Sequence, residues 1–229
     1  MVRARRRFLD AGHYRPLVDA ILALTGDSLD RGSRFPAGNG PLVLDVGCGE
    51  GYYGGTVAEA LRAKYGACRL YGLDISRAAL RLAARTYREA VFFLNDVGSR
   101  ICLADGAADV LLDIFAPRNA GEFARVLRPG GIALIVIPEE WHLHELRRAL
   151  PLLSIAPGKR GRTVDQLSAH FAIQGESAVA YGVRLTLPDL RDLVRMSPSA
   201  HHLEDVRLEG LRDMDVTVAF RILRFENGS

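Results

Sequence analysis

One junction restricts the possible folds more than anything else in the chain. The apolar run Leu42-Val43-Leu44 closes on Asp45-Val46 and breaks at once into Gly47-Cys48-Gly49-Glu50-Gly51. A short apolar run followed by glycines reads as a buried strand of a parallel sheet with a tight turn at its carboxyl end. Glycines there let the backbone adopt positive φ and keep side chains out of the way of a ligand. A second apolar run, Arg69-Leu70-Tyr71-Gly72-Leu73, ends in Asp74. In nucleotide-binding α/β sheets an acid at that place accepts hydrogen bonds from ribose hydroxyls. A glycine turn alone says little, but turn and acid together point to an adenosine-containing ligand.

Two ligand classes share this layout. The dinucleotide fingerprint is G-x-G-x-x-G, with a helix N-terminus aimed at a pyrophosphate. Here the spacing is Gly47-x-Gly49-x-Gly51, with Asp45 just before it. A carboxylate in that position repels a pyrophosphate and suits a cationic ligand such as S-adenosylmethionine, which carries an ammonium and a sulfonium. D-x-G-C-G-x-G resembles the first motif of class I S-adenosylmethionine-dependent methyltransferases.

The 229 residues, 48% hydrophobic and 25% charged, are enough for one α/β domain with a large core. No apolar run reaches the roughly 20 residues needed to span a bilayer, so no membrane role is expected. The N-terminus opens on arginines rather than an apolar signal core, which makes a cytoplasmic location the expectation. Cys48, Cys68 and Cys102 are isolated thiols, and His144, His170, His201 and His202 show no ligand spacing, so no metal site is expected. The net charge of +3 neither demands nor excludes a polyanion. Two basic clusters stand out: Arg3, Arg5, Arg6 and Arg7, and Lys159-Arg160-Gly161-Arg162. Each reads either as a solvated face or as phosphate contacts at the rim of an RNA-binding cleft.

Apolar spacing predicts helix over residues 3–24, split by Gly12 and Pro16, and then a linker over 26–41. Strands are expected at 42–46, 69–73, 91–94, 108–115 and 132–137. Helices are expected after the glycine turn to about 64, from a cap at Ser76 to about 88, over 119–127 up to Pro129-Gly130-Gly131, and over 140–150. Residues 151–180 lose periodicity and read as an insertion near the active site. A sixth strand is expected at 178–185, a helix opening near Pro188, and an antiparallel strand at the sheet edge over 215–223. The alternation predicts an α/β fold: a seven-stranded Rossmann-like sheet, mostly parallel with an antiparallel edge hairpin. One domain is expected over 1–229, with an N-terminal helical segment (1–40), a cofactor-binding core (41–150) and closing strands (181–229).

Several longer stretches resemble one family. They are Phe8-Leu9-Asp10-Ala11-Gly12-His13-Tyr14-x-Pro16, Leu44 to Tyr53, Gly72-Leu73-Asp74-Ile75-Ser76, Ile114 to Asn119, Arg128-Pro129-Gly130-Gly131 and His142-Leu143-x-Glu145-Leu146. This set is similar to the RlmA family, whose members methylate N1 of a guanine in large-subunit ribosomal RNA; those of the TlrB and MyrA type confer macrolide resistance. The resemblance spans roughly residues 3 to 220 and implies a class I methyltransferase that uses S-adenosylmethionine on ribosomal RNA. The family opens with a zinc ribbon that helps to recognise RNA. This sequence starts just past that position and holds no replacement cysteines, which keeps open a small-molecule acceptor from natural-product biosynthesis.

The resemblance also implies roles. Tyr14 and His142 become cofactor contacts, as do Gly49 and Glu50 within the turn from Gly47 to Gly51. Asp45 is expected near the cofactor's ammonium and Asp74 on its ribose. In Asn95-Asp96-Val97, Asp96 is assigned to the adenine amino group and Val97 to a backbone contact. Phe115, after the fourth strand, is expected to stack on the acceptor base. Asp113 and His142 are candidates, by location, for the base that takes the N1 proton. The sequence leaves open whether the chain acts alone or as a homodimer.

Overall fold

The computed structural model describes residues 1–32, 35, 40–150, 155–197 and 211–228. Seven strands form one sheet: β1 (Leu42–Val46), β2 (Arg69–Asp74), β3 (Val91–Leu94), β4 (Ala108–Ile114), β5 (Leu127–Pro138), β6 (Phe171–Leu185) and β7 (Met214–Asn227). Their spatial order is β3-β2-β1-β4-β5-β7-β6. The first five pair in parallel, and β7 joins β5 antiparallel and carries β6 on its far side. The strand order reverses between β1 and β4. In open α/β sheets, ligands bind beyond the carboxyl ends of the strands at such a switch point.

Eight helices are described: α1 (Val2–Asp10), α2 (Arg15–Gly32), α3 (Tyr52–Tyr65), α4 (Arg77–Thr86), α5 (Ala120–Val126), α6 (His144–Ala149), α7 (Lys159–Leu167) and α8 (Leu187–Met196). They cover both faces of the sheet. Along β4, Val110, Leu112 and Ile114 join one core with Phe8, Leu17, Ile21 and Val57, while Leu111 joins the other with Phe123, Phe171 and Phe225. That is the period-two alternation of a strand buried on both sides. Ser76 caps α4 by accepting the amide of Ala79, and Asn119 caps α5 through Glu122. No described helix is long and apolar enough to cross a membrane.

Several expected boundaries are corrected. The linker placed at 26–41 is helical to Gly32, because Ile21, Thr25 and Leu29 form one buried stripe. Thr25 and Ser28 donate their hydroxyls back to Ile21 and Leu24, so residues that read as loop formers stay within the helix. Pro16 lies in the first turn of α2, where its missing N–H is no loss. The insertion placed at 151–180 contains helix α7 and the first half of β6, which starts at Phe171 rather than 178. Half-exposed alternation on an edge strand gives too weak an apolar signal to mark that start. The strand placed at the sheet edge, β7, lies one position inside it, with β6 as the edge. The helix expected over 140–150 is confined to His144–Ala149. Residues 151–154, His201 and His202 lie outside the described residues.

Candidate active site

At the end of β1 the chain turns through Gly47, Gly49 and Gly51 with φ of 67°, 57° and 81°. Gly47 presses on the segment that follows β4: a Cβ there would lie 2.6 Å from Cβ of Ala116. Positive φ and that close approach both require glycine. The turn is fastened from below. The amide of Gly49 donates to Oδ2 of Asp74 at 2.9 Å, the amide of Ser76 donates to Oδ1 at 2.7 Å, and the amide of Cys48 donates to the Leu73 carbonyl. Asp74 is half-buried. Each of its oxygens keeps a lone pair beyond these bonds.

Asp45 points under the turn and is only 3% exposed. Its Oδ2 accepts the Gly54 amide at 3.1 Å, inside the first turn of α3. Burial pushes its carboxyl up to about 7, against the pull of the Gly54 amide and of Arg5. Glu50 is buried too, 3.2 Å from Nε of Arg5. The Arg5 guanidinium lies over the turn, 3.6 Å from the place a Gly49 Cβ would take. On the β3 side, Asp96 is exposed and accepts the Gly98 amide, while Val97 is buried. Asn95 bonds Asp96, Arg100 and Cys102 and holds that loop in shape.

Beside the turn opens a cavity of about 730 Å³. Its floor is aromatic. Phe220 of β7 lies with ring centroids 5.1 Å from Phe115, 5.0 Å from Tyr14 and 4.5 Å from His142. Phe115 holds φ of +62°, which is strained for a bulky residue, and its amide donates to the Val136 carbonyl. The cavity wall carries five basic side chains: Arg5, Arg118, Arg147, Lys159 and Arg162. No carboxylate is among its described lining residues.

His142 is neutral, since burial and the nearby Arg147 pull it down to about 3. Its Nδ1 accepts the Ala219 amide at 3.1 Å, which puts the ring proton on Nε2, facing the Tyr14 hydroxyl at 3.5 Å. Tyr14 and Tyr53 are held protonated by burial. Asp113 has no exposed surface and does not line the cavity. Its Oδ1 accepts the Ala116 amide at 3.1 Å and its Oδ2 lies 3.2 Å from Nε of Arg118, an ion pair without hydrogen-bond alignment. Burial raises this carboxyl to about 7, with Arg118 opposing.

A methyltransferase-domain family profile matches residues 43–131, the stretch that carries the glycine turn. A 23S rRNA (guanine(748)-N(1))-methyltransferase from Streptomyces fradiae is 36% identical over 98% of this chain and 79% of its own length. A protein from Micromonospora griseorubida, provisionally named as a 23S rRNA guanine-N1 methyltransferase, is 38% identical over the same shares. The chain belongs to the 23S rRNA guanine-N1 methyltransferase family. Among solved structures, the DszA carbon methyltransferase superposes with a TM-score of 0.57 at 17% identity, over 93% of this chain and 54% of that one. The [4+2]-cyclase SpnF superposes at 0.52 and 18%, over 91% and 82%. At such identities the likeness is one of fold alone, and the fold evidently hosts more than one chemistry.

In this methyltransferase the sequence-assigned residues fall into two groups. Asp45, Gly47, Gly49, Glu50, Gly51, Asp74, Asp96 and Val97 surround the turn at the ends of β1, β2 and β3. Tyr14, Phe115 and His142 meet in the adjoining cavity. Asp113 stands behind that cavity, as the support of Arg118. The first basic cluster is largely taken up in ion pairs within the chain: Arg5 with buried Glu50, and nearer the surface Arg6 with Asp10 and Arg7 with Asp192. The second divides, with Lys159 and Arg162 on the cavity and Arg160 paired with Glu176. Sequence reasoning gave no role to Tyr53, Arg118 or Phe220, and read Arg5 only within a basic cluster at a solvated face or an RNA-binding rim. Arg5 shares a helix face with Phe8 and Leu9 at i+3 and i+4, a signal that it points inward. Phe220 carries no local signal, because only the antiparallel pairing of β7 brings it to the site.

Proposed function

We propose that this methyltransferase transfers a methyl group from S-adenosylmethionine to N1 of a guanine in large-subunit ribosomal RNA. The observation that carries the acceptor half is the cavity: an aromatic floor under a wall of cations, with no carboxylate among its described lining residues. A planar base attached to a phosphodiester suits such a surface, since rings stack on aromatic faces and phosphates seek arginine and lysine. The relatives named for guanine-N1 methylation support the same acceptor.

The residues at the turn fit the donor. Three glycines at positive φ keep the turn's own side chains out of the donor's way, with Arg5 above Gly49. Asp74 offers its remaining lone pairs to the ribose hydroxyls, and Asp96 with Val97 takes the adenine. Asp45, under the turn, supplies negative charge toward the ammonium, while Arg5 and Glu50 frame the methionine end together with Tyr14 and His142. When bound, S-adenosylmethionine supplies a methyl group on a sulfonium that already leaves readily. The chain therefore has to position the acceptor, exclude water and deal with the N1 proton. Phe115, strained and backed by Phe220, holds the base plane. A guanine within a paired stem must first be extruded to reach it.

The test uses labelled S-adenosylmethionine with an unmodified 23S rRNA transcript and, separately, a panel of small heterocycles. Methylation at N1 blocks base pairing, so a reverse-transcriptase stop maps the product. Label on small heterocycles with none on RNA would overturn the acceptor assignment.

A further inference from the structure

Guanine N1 bears a proton at neutral pH, and its lone pair attacks only once that proton has gone. Among the described residues the cavity offers no ready carboxylate or imidazole base. His142 has Nδ1 occupied by the Ala219 amide and its proton on Nε2. Asp113 is sealed behind the wall. Tyr14 and Tyr53 stay protonated. What the cavity does offer is positive charge beside the aromatic floor. Arg118 follows Phe115 by three residues, with a side chain only 11% exposed. Its Nε is anchored 3.2 Å from buried Asp113. Among the described residues, its terminal nitrogens have no hydrogen-bond partner, so its donors remain available to the cavity. The charged groups facing it are Asp113 from β4, Lys159 and Arg162 from α7 and Arg147 from α6. Burial, with Arg118 and Arg162 nearby, lowers Lys159 from its usual range.

We propose that Arg118 is a catalytic residue that binds the acceptor guanine as its N1-deprotonated anion, with Asp113 as its positioning residue; this rests on the acceptor assignment above. The negative charge left on N1 and O6 lies against the guanidinium, and Lys159 and Arg162 reinforce the field. The N1–H bond breaks and its proton passes to water. The N1 lone pair forms the new N–C bond as the bond from methyl carbon to donor sulfur breaks, its electron pair leaving with sulfur. The protein thus makes guanine more acidic instead of supplying a carboxylate base. A guanidinium held in a fixed place by Asp113 stabilises such an anion without reorganising.

Single-turnover methyl transfer measured from pH 6 to 10 tests this, with two RNA fragments. One carries guanine at the target and the other 7-methylguanine, whose ring charge makes N1 far more acidic. Arg118→Met should slow transfer to guanine roughly 100-fold, the scale for losing one donor to a developing anion. Its rate should go on rising with pH where the wild type has levelled off. On 7-methylguanine it should come within roughly tenfold of wild type, because the transition-state contribution is no longer needed. Arg118→Lys keeps the charge opposite Asp113 and should lie between the two; S-adenosylhomocysteine affinity, unchanged in both variants, reports an intact fold. Equal slowing on both fragments would overturn the proposal, as would a loss carried by Lys159→Met instead of Arg118→Met. A wild-type enzyme silent on guanine but active on other acceptors would overturn the acceptor assignment and this proposal with it. N1 product from the wild type with an indifferent Arg118→Met would overturn the proposal alone.

Discussion

Asp45 offers a direct measure of what the site costs the fold. Its carboxyl is 3% exposed, and burial raises it from 3.8 to about 7. Between those values the unfolded chain has released the proton and the folded chain keeps it, so stability falls as pH rises. The slope is about 1.4 kcal/mol per pH unit, and over the window the loss is of the order of 4 kcal/mol. Above pH 7 the folded carboxyl ionises too, and the loss levels off. Asp113, also raised to about 7, adds a second fall over the same window. Asp45→Asn removes one of the two. The amide oxygen still accepts the Gly54 N–H, but the new NH₂ group lacks a partner and costs about 1–3 kcal/mol at every pH. The variant should therefore be less stable than wild type by that amount near pH 4 and more stable by about 1–3 kcal/mol at pH 8, with the two curves crossing between. Urea midpoints taken at half-unit steps from pH 4 to 8.5 read this out, and every other titrating group cancels in the difference. Calorimetry with S-adenosylhomocysteine should show weaker binding by the variant at pH 8, where the wild-type carboxylate is charged. A displacement of the same sign and size at pH 4 and pH 8 would refute the reasoning, because Asp45 would then titrate alike in the folded and unfolded chains.

Gly54→Ala places a Cβ 2.6 Å from Oδ2 of Asp45 and 2.8 Å from its Cβ, and should destabilise by about 1–3 kcal/mol in thermal unfolding. Phe115→Ala should slow methyl transfer to RNA by roughly 10- to 100-fold, the scale for losing one stacked base, while S-adenosylhomocysteine affinity stays within about twofold. His142 sits at about 3, so the pH–rate profile should show no histidine inflection between pH 5 and 8; His142→Asn should lower the rate without changing the profile's shape. Helix α1 is tied to α8 by Arg7, which donates to both oxygens of Asp192 at 2.5 and 2.7 Å, and α8 lines the cavity through Leu193 and Met196. Asp192→Asn should release α1 from its place over the glycine turn, seen as faster trypsin cleavage at Arg5 to Arg7 and several-fold weaker donor binding.

The parallel half of the fold was legible because its signals are local. A wholly buried strand reads as an apolar run, a side-chain-free turn demands glycine, and a helix start needs a cap such as Ser76. The antiparallel half was not. β6 alternates between exposed and half-buried residues over most of its length, so its first residues resemble a loop. β7 was read as an edge because its segment alternates, yet β6 covers it. The end of α2 was lost for a related reason: Gly26, Asp27 and Ser28 carry weak helix propensity, and the buried stripe through Thr25 and Leu29, with the Ser28 hydroxyl bonded back to Leu24, holds them helical.

The site divides along the same line. The proposed donor half is built from turns and strand ends within one continuous stretch, so spacing and the family resemblance sufficed to single out Asp45, the glycines, Asp74 and Asp96 as candidates. The proposed acceptor half is assembled from places far apart in the chain: Phe115 after β4, Lys159 and Arg162 on α7, and Phe220 on β7. No periodicity links these positions, and only pairing across β5 and β7 brings Phe220 under Phe115 and His142. The same separation explains why location alone made Asp113 a base candidate. It stands two residues before Phe115 with a carboxylate of suitable type, but in the sheet that position faces inward, and the residue delivered to the cavity is its ion-pair partner, Arg118. A strand-end acid thus marks the neighbourhood of the chemistry, while the direction of its side chain decides whether it takes a proton or holds a cation in place.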